Sequence, residues 1–390
     1  MGIGVSIGAL SPATEQSPQA ATLAAAAAEA RRDTWRKSIE SVAIPLGAIL
    51  AALVLFGIFM ALTGRSPLAV YHEMFRGSFG TAFSFQNTLQ RAAPIMLTAL
   101  ATAIPLRLGL VVLGGEGAMV LGGLAAAAVG IHLHTPFSIK LAMFVTGSLV
   151  GGLWVAGAGA LRAYRGVNET ISSLLLNYIA IALLNHIVEG PLRDPASLNK
   201  PSTLPIGDDN MLGNLPGLDV HWGLGFALIA CLIAWFLMQR TTFGFAARMV
   251  GGNVRAALLN GLPVRRLIVI ATFLGGLGAG LAGAVEVAAI HGNANASLVT
   301  GYGYTGVLVA FIARANPFGV IPVALLLGGI GASGGLLQRV FELPDATVNV
   351  LQGTIFIAIL FSDSLYGRRW RKPSSLPRAR KPVSRRSLWR

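Results

Sequence analysis

The stretch LIVIATFLGGLGAGLAGAVEVAAI, residues 267–290, holds 24 residues and one ionisable side chain, Glu286. At 1.5 Å per residue a helix of that length crosses the ~30 Å hydrocarbon core of a bilayer. A helix on the surface of a soluble protein would show a polar stripe, and this run has none. The whole chain agrees: 54% of its 390 residues are hydrophobic, 12% are charged and 48 are Gly, whereas soluble domains carry about a quarter charged residues. Similar apolar runs cover residues 42–62, 92–113, 118–133, 138–161, 170–188, 222–238, 304–313, 320–337 and 348–361, which makes ten spans in all. Two of these invite a broken or re-entrant helix: the second, which holds Pro94, Pro105 and Arg107, and the short run at 304–313. A β-barrel needs segments of about ten residues that alternate apolar and polar, and the runs here are continuous. The expected fold is therefore all-α, a polytopic membrane protein.

Orientation follows from Lys and Arg, which collect in short cytoplasmic loops. The residues from 364 onward carry Arg368, Arg369, Arg371, Lys372, Arg378, Arg380, Lys381, Arg385, Arg386 and Arg390 without an acid, the largest share of the net charge of +14. Arg31, Arg32, Arg36 and Lys37 precede the first run, and Arg162 and Arg165 follow the fourth. Arg240, Arg248, Arg255, Arg265 and Arg266 flank or lie in the loop at 241–266. With ten spans all of these fall on one side, so both termini are expected in the cytoplasm. The segment at 189–221, with Glu189, Asp194, Asp208, Asp209 and Asp219, falls outside. The organisation expected is a cytoplasmic tail (1–41), a membrane domain (42–363) and a basic cytoplasmic tail (364–390). The first span reads as an uncleaved anchor, since no apolar core with a small-residue cleavage site precedes it. Basic charge beside membrane spans points to anionic lipid rather than to nucleic acid.

Several chemistries are excluded. No Lys follows a Gly, so no phosphate-binding P-loop occurs. No HExxH or GxSxG sequence is present, and Cys231 is the only cysteine. A transport process driven by ATP would need a separate ATPase. The hexapeptides LGGEGA (113–118), LGGLGA (274–279) and LGGIGA (327–332) fit either close helix packing in a Gly-rich protein or an internal repeat.

The loop at 241–266, TTFGFAARMVGGNVRAALLNGLPVRR, contains RAALLNG at 255–261. Two small residues followed four positions later by Gly resemble the EAA motif of permease subunits of ATP-binding-cassette importers. The longer run resembles the coupling region T-x-x-G-x-x-x-R-A-V-G-x-N-x-x-A-A-x-x-x-G-I of permeases for simple sugars and nucleosides. It differs at Arg255, where many relatives have an acid, and at Met249, where Ala is usual. NETISSLLLNYI at 168–179 resembles a segment of the nucleoside permeases that work with binding lipoproteins, as do GYGYTG at 301–306 and NPFG at 316–319. VVLGGEGA at 111–118 departs from the usual FNIGAEGQ, so that an Asn and a Gln are replaced by apolar residues.

The resemblance covers roughly residues 92–363. It implies a bacterial inner-membrane permease that imports nucleosides or related sugars and performs no covalent chemistry. The implied partners are an ATPase subunit, which would hold the ATP and Mg, a second permease as homodimer or heterodimer, and an external solute-binding protein. It places the coupling contacts at Gly244, Arg248, Gly251, Asn253, Ala256, Ala257 and Gly261. This chain itself is expected to bind no cofactor and no metal. A secondary transporter is the alternative, although only Glu116 and Glu286 could serve ion coupling.

The candidate path residues are Glu116, Asn177, Glu286, Tyr302 and Tyr304. Glu116 reads equally as a path-lining group or as an acid at the edge of a span, and Glu286 as a carboxylate facing a cavity where it could accept from ribose or base donors. Asn177 and Asn185, two turns apart, suit a solute contact or a bond between helices. Tyr302 and Tyr304 could stack on a purine or sugar face or anchor the interface. His132, His134, His186 and His291 are scattered near span ends and suggest no metal site.

Overall fold

The computed structural model describes residues 46–132, 136–197, 199–344 and 346–369. The chain divides into two units, Ala52–Ile359 and a second formed by Met1–Ala51 with Leu360–Arg390. In the second, the described residues are helical; the tail at 1–41, residues 370–390 and His134 lie outside the described residues. The described residues are helical apart from loops and two isolated bridges, as the composition predicts.

The helices are α1 (Leu46–Leu62), α2 (Pro67–Phe79), α3 (Ala82–Leu106), α4 (Gly115–His132), α5 (Pro136–Arg165), α6 (Glu169–Glu189), α7 (Gly223–Arg240), α8 (Thr242–Gly252), α9 (Val254–Leu259), α10 (Val264–Glu286), α11 (Tyr302–Ile312), α12 (Pro317–Phe341) and α13 (Ala346–Arg369). Seven of them are long and apolar enough to span, namely α3 to α7, α10 with its following turn, and α12; the pair α1 and α2, bent by 118°, brings the number to eight if counted as one span. The expectation of ten spans is corrected accordingly. Helix α11 has 11 residues and the apolar part of α13 is Ala346–Ser362, both short for a crossing. The sequence reading passed over α2, because His72, Glu73 and Arg76 interrupt its apolar pattern.

The second run is where expectation and structure differ most. α3 continues unbroken through Pro94 and ends just past Pro105. Thr98 Oγ1 donates to the Pro94 carbonyl at 2.9 Å, within the turn that follows this proline. α3 is also the central helix: 78% of its most apolar window is buried, against 33% for α6 and α7, which present apolar faces outward. One end of α3 meets the 189–221 segment, where Gln90 Nε2 donates to the Asp219 carbonyl. Its other end meets α8, because a Cβ on Gly251 would strike the Arg107 carbonyl.

Close packing rests on glycine. A Cβ on Gly280 would collide with Gly147 and Gly151, one on Gly122 with Gly280, and one on Gly283 with the Met119 carbonyl. α4, α5 and α10 therefore cross backbone to backbone, the arrangement expected where no hydrophobic force draws helices together in lipid. The three Gly-rich hexapeptides do different work. The first opens α4, whereas Gly278 in the second and Gly328 in the third sit in mid-helix against α3.

Candidate functional site

α4 and α11 begin at the same interior point and run to opposite ends of the bundle. Gly130 of α4 reaches Ile206 in the 189–221 segment. Past α11, the Ala315 carbonyl accepts from Arg107 Nε at 2.6 Å, at the end where α8 lies. Glu116 joins the two starts. It lies in the first turn of α4, is 0% exposed, and accepts from the backbone N–H of Gly301 at 2.7 Å and of Gly303 at 2.6 Å. One carboxylate thus occupies the positive end of two helix dipoles and satisfies donors that no helical carbonyl reaches. Gly303 has to be glycine, since a Cβ there would overlap the Glu116 backbone.

Asn177 closes the same junction from α6. Its Oδ1 accepts from Gly117 N–H at 2.8 Å and its Nδ2 donates to the Leu113 carbonyl at 2.6 Å. Ser173, one turn earlier, accepts from Leu113 N–H at 3.0 Å. The extended strip before α4 is therefore held by side chains of α6. Glu116 and Asn177, two of the five path candidates, are turned into the backbone. Asn185 takes no part in this junction.

A cavity of about 250 Å³ opens between α3, α11, α12 and α13. Tyr302 lines it together with five polar residues that are not among the candidate path residues: Arg91, Thr300, Thr305, Asn349 and Gln352. Arg91 has a legible signal in hindsight, a cation ten residues into an apolar helix, but its span was set to begin at residue 92. Thr305 Oγ1 donates to Gln352 Oε1 at 3.2 Å, tying α11 to α13. Tyr304, two positions further along and close to the opposite face of α11, is 42% exposed. Glu286 is buried at the end of α10, where the chain opens into a π-helical turn over Val287–His291. That i to i+5 geometry places His291 Nε2 at 3.8 Å from Glu286 Oε2. Glu286, Arg91 and Tyr302 lie within electrostatic range of one another.

The seven coupling candidates all lie at the α8 end. Gly244 packs where a Cβ would overlap the Met238 carbonyl, and the Arg248 guanidinium donates to that same carbonyl, so both clamp α8 to the end of α7. Gly251 sets α8 on the end of α3. Asn253 caps α9, its Oδ1 accepting from Ala256 N–H at 3.1 Å, and Ala257 is the buried residue of that helix. Gly261 ends it with φ of 76°, the left-handed conformation expected of a helix-terminating glycine. α9 holds out Val254, Leu258 and Leu259, the last 89% exposed, beside Arg255.

Residues 84–360 match the family described as branched-chain amino acid transport system / permease component. The chain is 33% identical over 353 residues to the guanosine ABC transporter permease protein NupP of Bacillus subtilis, covering 86% of this chain and 96% of that one. It is 30% identical over 331 residues to the glucose ABC transporter permease protein TsgB13 of Haloferax volcanii, with 82% and 87% covered. Against the nucleoside ABC transporter permease protein NupB of Lactococcus lactis, identity is 28% over 337 residues, with 82% and 91% covered.

Proposed function

The chain belongs to the branched-chain amino acid transport system / permease component family, and from that premise we propose that it is the membrane subunit of an ATP-driven, binding-protein-dependent importer of nucleosides. The observation that carries this reading is the α8–α9 end. A short helix, capped by Asn253 and stopped by Gly261, presents Val254, Leu258 and Leu259 to solvent next to Arg255. An apolar helix edge with flanking cations fits a groove on a partner protein better than it fits water. In this reading the partner is the ATPase subunit, which holds ATP and Mg, and the α8 end faces the cytoplasm of a bacterial inner membrane with both termini on that side. A second permease, identical or different, completes the path, and an external binding protein delivers solute to the 189–221 segment.

The chain then works by population shift. ATP closes the ATPase dimer and moves α8 and α9, and the clamps at Gly244, Arg248 and Gly251 pass that motion to α7 and α3. Outward-facing and inward-facing packings exchange in stability without covalent chemistry in the chain. Nucleosides are favoured as cargo by the relatives that carry guanosine and nucleosides, with glucose as the competing cargo.

The test is a mild-detergent pull-down of the tagged chain from native membranes, followed by uptake of radiolabelled guanosine and glucose into vesicles that contain the recovered complex. Co-purification of a P-loop ATPase and ATP-dependent guanosine uptake are expected. Recovery of the chain alone, with uptake driven by a proton or sodium gradient, would replace this reading with a secondary transporter.

A further inference from the structure

Arg91 sits ten residues into α3, the most buried helix of the bundle, and faces the cavity. Its guanidinium has no hydrogen bond or ion pair within the described residues, only the longer-range field of Glu286 and Tyr302. Arg91 follows Gln90, which bonds the 189–221 segment, so this half-buried cation lies towards that end of α3, and a cation there without a partner is placed to meet a solute entering the cavity. The remaining lining lacks any Asp or Glu. With Gln352 Oε1 occupied by Thr305, its Nε2 amide is left to donate. The cavity therefore presents donors from Arg91 and Gln352, with the Asn349 amide and the hydroxyls of Thr300 and Tyr302 able to accept as well as donate.

The opposite wall is glycine. Gly328, Gly331, Gly334 and Gly335 of α12 line the cavity. Gly328 is explained by packing, since a Cβ there would press on Ala92. Gly331 and Gly335 are not: the nearest atom to a Cβ at Gly331 is Gln352 Nε2 at 4.0 Å, and at Gly335 nothing lies within 4 Å. Glycine inside a helix costs about 1 kcal/mol relative to alanine. Two helical glycines without a packing reason leave a flat ridge above which a ligand has room. The volume, about 250 Å³, is below the ~300 Å³ at which pockets for drug-sized ligands begin, so the occupant is a single small molecule.

We infer that this cavity is a nucleobase subsite, in which the Arg91 guanidinium donates to the O6 and N7 acceptors of a 6-oxopurine, the ring lies against Gly331 and Gly335, and the amides of Asn349 and Gln352 meet its remaining edge. Arg paired to the O6 and N7 edge of guanine is the geometric match of five fixed donors to two acceptors. Adenine offers an amine where the second acceptor would be and pairs with an amide instead. A hexose, with a hydroxyl at nearly every carbon, calls for carboxylate acceptors that the lining does not hold. The inference rests on the nucleoside reading above and deepens it.

The experiment is ATP-dependent uptake of guanosine, inosine, adenosine and glucose by the complete complex in proteoliposomes, for the wild type and the variants Arg91→Gln, Gly331→Ala and Gly335→Val. Arg91→Gln is expected to lower guanosine and inosine uptake, measured as kcat/KM, by about five- to a hundredfold, the worth of one bidentate base contact. Adenosine should fall much less, so the guanosine-to-adenosine ratio shifts, which a merely structural role would not produce. Gly331→Ala and Gly335→Val should raise KM for every nucleoside with assembly intact. An unchanged ratio in Arg91→Gln, or unchanged KM in both glycine variants, overturns the subsite while leaving a nucleoside importer in place. If Arg91→Gln does not assemble, the KM of the glycine variants decides. Wild-type uptake of glucose without any nucleoside overturns the proposed function itself.

Discussion

Replacing Glu116 by Ala removes two hydrogen bonds at once and leaves the N–H groups of the half-buried Gly301 and the buried Gly303 without an acceptor. Each stranded buried donor costs about 1–3 kcal/mol, so the variant should lose about 2–6 kcal/mol. No water is at hand to repair the loss, because Glu116 is 0% exposed and Gly303 lies against its backbone. Glu116→Gln keeps one carbonyl oxygen and turns an NH₂ towards the second N–H, so it should fall between Ala and the wild type. The assay is unfolding of the purified chain in mixed micelles by titration with SDS, read by circular dichroism and by accessibility of Cys231, which is fully buried. The expected order of midpoints is wild type, then Gln, then Ala. A Glu116→Ala variant that unfolds at the wild-type midpoint, yet loses uptake, would refute the capping argument and return Glu116 to the list of solute contacts.

Gly280→Val should prevent folding of the chain or cost about 3 kcal/mol or more, since its side chain would run into the α5 backbone at Gly147 and Gly151; Gly157→Ala, with open space around it, is the control expected to leave yield and monodispersity in detergent unchanged. Gly261→Val forces a β-branched residue to a φ of 76° and should leave ATPase activity of the complex while uptake falls, so equal coupling ratios in variant and wild type would remove α9 from the docking account. Burial holds the His221 imidazole below the usual histidine range, against a weaker opposing pull from the Gln90 backbone. The folded state therefore resists protonation that the unfolded chain accepts, and stability should fall as pH drops below about 6.5. In a detergent thermal-shift series that slope should be smaller in His221→Gln.

The apolar runs placed the helices because their length and lack of charge are local properties. Most of each run is helical within the described residues, although the second leaves its helix at Arg107 and continues as turn and loop to residue 113; the number of spans turned on helices whose depth depends on neighbours. In TAFSFQNTLQ at 81–90 the start of α3 is marked only by Thr81, whose Oγ1 accepts from Ser84 N–H at 3.0 Å, while Gln86, Asn87 and Gln90 break the apolar pattern. Gln90 is accommodated because it donates to the Asp219 carbonyl in the 189–221 segment. Glu116 and Asn177 are legible as unusual residues, Glu116 as a path-lining group or an acid at the edge of a span and Asn177 as a solute contact or a bond between helices. The backbone groups they bind, at Gly301 and Leu113, lie 185 and 64 residues away along the chain and leave no local trace. Arg91 was missed because it was assigned to the residues before a span, and the cavity it faces is assembled from four helices that no local pattern links. The loop at 241–266 was the most legible part: caps and a terminating glycine are written within a few residues of the helix they bound.

α3 ties the two functional ends into one rigid strut. Arg107, at the foot where Gly251 rests, and Arg91, in the cavity wall, are 16 residues apart on or just past one helix that two prolines do not break. At 1.5 Å per residue that is a lever arm of about 24 Å. A tilt of about 5° imposed at the foot would carry the Arg91 backbone sideways by about 2 Å, enough to part a guanidinium from acceptors it must meet within about 3.2 Å. No chain of rearranging side chains is needed between the proposed docking surface and the proposed base subsite. The release of solute can be a matter of leverage.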